Sequence, residues 1–181
     1  MKFWASLAGY QLVWFAAVIG AGRGAAWPGI VGMLLYAACH LSAARHWRSD
    51  LSLMAAAVAM GLLVDSGLIR AGLAGFAAQW PFTGFAPAWI LALWAAFSLT
   101  FTQSLVYLQT RLRLAALLGA VGGPLAYLGA ERGWHAVAFT PPSWRALLWL
   151  SLGWGLATPA LAWMAARRSA PAPIPLLGSA P

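Results

Sequence analysis

Residues 51–69 read LSLMAAAVAMGLLVDSGLI. As a helix rising 1.5 Å per residue this run is about 28 Å long, close to the ~30 Å hydrocarbon core of a bilayer. It is a transmembrane helix by length and composition, and its one charged side chain is Asp65. A carboxylate within such a run costs about 3 kcal/mol in helix-insertion scales unless it is paired, neutralised or wet. Asp65 is one of only three carboxylates in the chain, beside Asp50 and Glu131. It is therefore the first candidate for a functional or organising role.

The rest of the chain has the same character. It is 62% hydrophobic and 8% charged, with mean hydropathy +0.77. A soluble domain has about 25% charged residues, so 181 residues of this composition point to an all-α, polytopic transmembrane bundle of about six helices. The spans are expected at 3–22, 28–44, 51–69, 87–109, 112–130 and 143–166. Pro28 suits a first helical turn, and Ser49 and Asp50 suit a helix start. Residues 71–86, AGLAGFAAQWPFTGFA, are too short to span and too apolar for an ordinary loop, so an interfacial or re-entrant segment is expected there. Residues 131–142 form a second polar-aromatic connection. The domain covers 1–168, followed by a disordered Pro/Ala-rich tail at 169–181.

The formal charge of +8 excludes no partner by itself, but its placement speaks against nucleic acid. The basic residues stand at span ends, not on one clustered surface. Lys2, Arg45, Arg48, Arg111, Arg113, Arg167 and Arg168 fall on one side, against Arg23, Arg70, Arg132 and Arg145 on the other. By the positive-inside rule both termini are expected to face the cytoplasm, with membrane lipids as partners. Of the twelve Trp, Trp4, Trp27, Trp47, Trp80, Trp89, Trp134, Trp144 and Trp163 fall near expected span ends, where an amphipathic ring suits the headgroup zone. Lys2 and the apolar run after it resemble a signal peptide, but the run is too long and reads as an uncleaved first span. The single Cys39 allows no internal disulfide.

Four constellations stand out. Ala57, Gly61 and Asp65 follow at i, i+4, i+8 on one helix face, and small residues there let another helix approach. Asp65 thus points into the bundle, where it either accepts structural hydrogen bonds or serves as a ligand or catalytic carboxylate. Arg70 is a neighbour that could curl back to it. Second, Gly119 and Gly123 form a GxxxG pair, a packing signal, and Gly122, Gly123 and Pro124 predict a helix break with a cavity beside it. Tyr127 is placed to line that space. Third, Glu131, Arg132 and His135 cluster at the outer end of span five, as an ion pair or as acid/base groups with Asp65. Fourth, Thr100, Gln103, Ser104 and Tyr107 follow at i, i+3, i+4, i+7, one polar face of span four. His40, Gln11 and Gln103 belong to the inner half, and His40 reads as a hydrogen-bonded core residue. Candidate catalytic groups are Asp65, Glu131 and His135, and candidate ligand-binding groups are Asp65, Arg70, Trp89, Gln103, Tyr127 and Glu131. The three scattered histidines lack metal-ligand spacing, so neither metal nor cofactor is expected.

His40, Asp65-Ser66-Gly67, Pro87-Ala88-Trp89 and Gly122-Gly123-Pro124-x-x-Tyr127 together resemble a bacterial inner-membrane family, domain of unknown function 2878, over the chain up to about residue 168. The resemblance implies a small inner-membrane protein encoded near envelope-lipid and oxidative-stress genes, and no biochemical activity. The sequence favours binding or transport of a small molecule or lipid through an outward-facing polar cavity. An intramembrane enzyme of envelope-lipid metabolism using Asp65 and Glu131, and an assembly subunit of a larger membrane complex, are the alternatives.

Overall fold

The computed structural model describes residues 2–44 and 46–169. Six α-helices follow in order: α1 (Lys2–Gly22), α2 (Trp27–Ser42), α3 (Trp47–Arg70), α4 (Ala88–Thr100), α5 (Leu112–Trp134) and α6 (Trp144–Ser169). The tail expected at 169–181 lies outside the described residues except for Ser169, the last residue of α6. Four helices, α1, α3, α5 and α6, are long and apolar enough to cross a membrane. The shorter α2 and α4 have 16 and 13 residues.

The central helix is α4, which packs against α1, α2 and α3. All but Ala88, Leu91 and Phe97 of its residues are buried. A helix that is apolar all round is one enclosed by others. α5 and α6 form the most extensive helix pair, whereas α1 and α5 touch sparsely.

Span four was expected to run unbroken over 87–109, and it does not. α4 stops at Thr100, turns follow, and a 3-10 helix covers Val106–Thr110. Thr100 donates to the Phe97 carbonyl at 2.6 Å and Thr102 to the Leu99 carbonyl at 3.0 Å. Hydroxyls that compete for helix carbonyls in this way bend and end helices. The polar residues of this stretch therefore do not share one helix face.

At the opposite end of the bundle the 71–86 segment is a non-helical cap. Its strand β1 (Ala74–Phe76) pairs antiparallel with β2 (Val137–Phe139), Gly75 opposite Ala138. The cap joins the α3–α4 and α5–α6 connections. α5 also runs further than expected, through Gly133 to Trp134. It ends with His135 in the left-handed conformation (φ 54°). The amide of His135 bonds the Glu131 carbonyl and that of Ala136 the Ala130 carbonyl, so the helix ends on a left-handed cap of the αL type.

Candidate functional site

The face of Ala57, Gly61 and Asp65 is buried, and Asp65 is fully so. It accepts two hydrogen bonds from other helices. Trp94 Nε1 of α4 donates to Oδ2 at 2.8 Å, and the Tyr127 hydroxyl of α5 donates to Oδ1 at 2.6 Å. Gly61 lies one turn before Asp65, and a Cβ there would overlap the Trp94 indole. Trp94 in turn stacks on Trp154 of α6, with ring centroids 3.9 Å apart and planes at 19°. Asp65 thus ties α3, α4, α5 and, through the stacked indoles, α6. Its neighbour Ser66 accepts the Ala86 amide at 3.0 Å and holds the cap.

The other outer candidates do not join Asp65. Arg70 is exposed, its guanidinium 4.5 Å from the Phe85 ring centre. Trp89 was expected at an interface, but it is fully buried and donates to the Ala77 carbonyl at 2.9 Å. Glu131 accepts the Phe139 amide at 3.1 Å and so fastens β2 to α5. His135 is exposed at the helix end, because the left-handed turn takes it off the face of Glu131.

A second polar group sits at the end away from the cap. His40 Nδ1 meets Gln103 Nε2 at 3.1 Å. His40 Nε2 meets Thr102 Oγ1 at 3.2 Å and Asp50 Oδ2 at 3.4 Å. Thr102 gives its proton to the Leu99 carbonyl, so it accepts from His40. That assigns the imidazole proton to Nε2, shared between Thr102 and Asp50, and leaves Nδ1 to accept from Gln103. Ser6 bonds both Tyr36 and Ser104 beside it. The group joins α1, α2, α3 and the turn after α4. It borders a groove of about 580 Å³ between α1 and α2.

The helix break expected at Gly122, Gly123 and Pro124 is absent, and α5 passes through Pro124. Proline cannot donate to the carbonyl four residues back, that of Ala120. Ser151 of α6 donates to that oxygen instead, at 2.5 Å. A Cβ at Gly123 would overlap the Trp154 indole, and one at Gly119 would meet Thr158 and the Trp154 carbonyl. The GxxxG pair is the seam with α6. Gly122 faces the other way, with nothing within 4 Å of a Cβ built there.

That open side is the wall of a crevice of about 460 Å³ between α1 and α5. Tyr10, Trp14, Phe97 and Trp154 give it aromatic walls, and Gly122 and Gly129 leave it wide. Its lining runs along α5 from Leu118 to Gly129, about 16 Å of helix. Gln11, at the midpoint of α1, lines it and is exposed. Trp154 and Thr158 of α6 also line it; the Trp154 indole N–H approaches the Tyr127 hydroxyl oxygen, and the Thr158 hydroxyl lies against Gly119 in the seam. Pockets of a few hundred Å³ with aromatic walls and a few polar atoms are the usual form of small-molecule sites. A cavity does lie beside Gly122 and Gly123, but Tyr127 turns to Asp65 instead of lining it. Asp65 and Glu131 do not line it either.

A family model described as "Protein of unknown function (DUF2878)" matches residues 3–160. The chain belongs to this family. No curated protein and no solved structure matches it. The DUF2878 match takes in the Asp65 knot, the His40 network and every residue lining the crevice, and stops two residues beyond Thr158.

Several residues that organise this DUF2878 chain were missed in the sequence. Trp94, Trp149 and Trp154 fall mid-span, away from the headgroup zone that explains the other tryptophans, and that position is the signal. An indole N–H in hydrocarbon needs an acceptor. Trp94 finds Asp65 and Trp149 finds the Val64 carbonyl at 2.9 Å. The pairing of His40 with Asp50 had a weaker signal, two scarce polar residues flanking one short turn. Ser151 had none beyond the orphan that any helical proline creates.

Proposed function

We propose that this chain is a binding protein of a bacterial inner membrane, and that it holds an apolar-tailed small molecule or lipid in the crevice between α1 and α5. The observation that carries the reading is Gln11, an exposed amide at the middle of a membrane-length helix, opening onto a 460 Å³ aromatic crevice. An amide facing lipid tails finds no hydrogen-bond partner there, so such a group marks a site that something polar enters. The crevice replaces the outward-facing polar cavity expected around Asp65, whose oxygens are engaged by Trp94 and Tyr127. The arginine bias supports both termini on the cytoplasmic side.

The test is mass spectrometry of the protein purified in lipid nanodiscs. Wild type should carry a species that is absent from empty discs. Gly122→Leu should lose it, since the new side chain fills the crevice and a Cβ at 122 meets nothing. The same lipid content in both proteins would overturn the reading.

A further inference from the structure

We infer that one anionic phospholipid is held in a second groove, between α1 and α2, with an acyl chain along the helices and its phosphate at the arginine-rich end of the bundle. This groove of about 580 Å³ shares no lining residue with the α1–α5 crevice, so the inference stands apart from the binding reading above. Its walls run from Ala5 to Ala16 on α1 and from Gly32 to Ala43 on α2. That is about 16 Å of helix, close to the hydrocarbon depth of one leaflet. Glycines let the two helices approach at its floor. A Cβ at Gly9 would come within 2.9 Å of the Tyr36 ring, and one at Gly32 would meet Val13 and Ala16 at 3.7 Å.

The lining changes character along its length. Towards the cap it is apolar, with Leu12, Val13, Ala16 and Leu35. Towards the opposite face it is polar, with Ser6, Tyr36, His40 and Gln103. Hydrogen bonds between Ser6 and Tyr36 and from Gln103 to His40 hold that polar end in shape. A partner helix would need an apolar track through the whole membrane, about 30 Å. A track one leaflet deep, apolar inside and polar at its mouth, fits a lipid tail below its glycerol esters. Charge then selects the headgroup. Arg48, Arg111, Arg113 and Arg167 are all exposed at this end of the bundle. Asp50, the one described carboxylate there, is buried against His40. Among the described residues no exposed carboxylate offsets these arginines, so the rim favours a headgroup of net negative charge. Arg48 is the nearest of them to the groove along the chain, at the start of α3 just beyond Ala43 and the α2–α3 turn.

The experiment is native mass spectrometry of the full chain released from nanodiscs that hold equal parts of phosphatidylglycerol and phosphatidylcholine with the same acyl chains. Wild type should retain one phosphatidylglycerol, about tenfold over phosphatidylcholine, since each arginine beside an anionic head is worth about fivefold. Arg48→Gln should cut that preference about fivefold. Gly32→Leu and Ala43→Leu place side chains in the groove at its two ends and should each lose the retained lipid. Ala43 is exposed, so the test survives should Gly32→Leu fail to fold. Equal retention of the two lipids, retention that persists in the folded groove variants, or a preference unchanged by Arg48→Gln would overturn the inference. A dimer of the chain in place of the lipid adduct would overturn it too, by giving the groove to a second copy.

Discussion

The Ser151 hydroxyl donates to the Ala120 carbonyl, the oxygen that Pro124 deprives of its helical partner. One serine on α6 thereby keeps α5 continuous through a proline. Ser151→Ala should cost about 1 kcal/mol, as a lost buried hydrogen bond does. In a Pro124→Ala background, where residue 124 regains its N–H, the cost of Ser151→Ala should fall towards zero. Unfolding in mixed micelles measures both, and equal costs in the two backgrounds would refute the pairing.

Asp65 organises the fold, and its variants should behave accordingly. Asp65→Ala strands the Trp94 and Tyr127 donors, each at about 1–3 kcal/mol. Asp65→Asn keeps one acceptor oxygen and should cost less. Tyr127→Phe removes one donor and should cost about 1–2 kcal/mol. Thermal unfolding gives this order. Wild-type stability in Asp65→Ala would contradict it.

Adjacent glycines on α5 should respond differently. Gly123→Ala drives a methyl into the Trp154 indole, whereas Gly122→Ala enters open space. The first should destabilise by about 1–3 kcal/mol, the range of overpacking. The second should be neutral or slightly stabilising, because alanine favours helix over glycine. Paired unfolding curves decide it, and a larger loss at 122 would invert the assignment of faces.

The His40 network ties α2 to α3 and to the turn after α4. His40→Ala removes the partner of Asp50, Thr102 and Gln103 at once. Amide exchange should quicken across residues 101–110 while the α5–α6 seam stays protected. Uniform exchange across the whole chain, or none above wild type, would argue against a local tie.

Much of this architecture can be read from composition and spacing. The apolar runs locate five helices to within about four residues at each end, and α4 at its start, because a membrane leaves the backbone few alternatives to a helix. The inward face of Ala57, Gly61 and Asp65 follows from periodicity alone. What the chain conceals are long-range partners. Thr100, Gln103, Ser104 and Tyr107 look like one polar stripe until the hydroxyls of Thr100 and Thr102 are seen bonding carbonyls of their own helix, which ends there. Pro124 looks like a break until Ser151, 27 residues on in the sequence, supplies the missing donor. Glu131 and His135 look like neighbours until a left-handed residue ends the helix between them and the strand. A cavity beside Gly122 was expected from a helix break that is absent; the crevice found there is walled by residues of α1, α4 and α6 that only the fold brings beside α5.

The central claim is that one specific molecule occupies the α1–α5 crevice. Photo-crosslinking from a photoreactive side chain placed at Leu125, which lines the crevice and is otherwise exposed, tests it most directly. In native membranes the account predicts one dominant adduct of discrete mass, lost when Gly122→Leu is added. Adducts that mirror the bulk phospholipid composition, unchanged by Gly122→Leu, would contradict it.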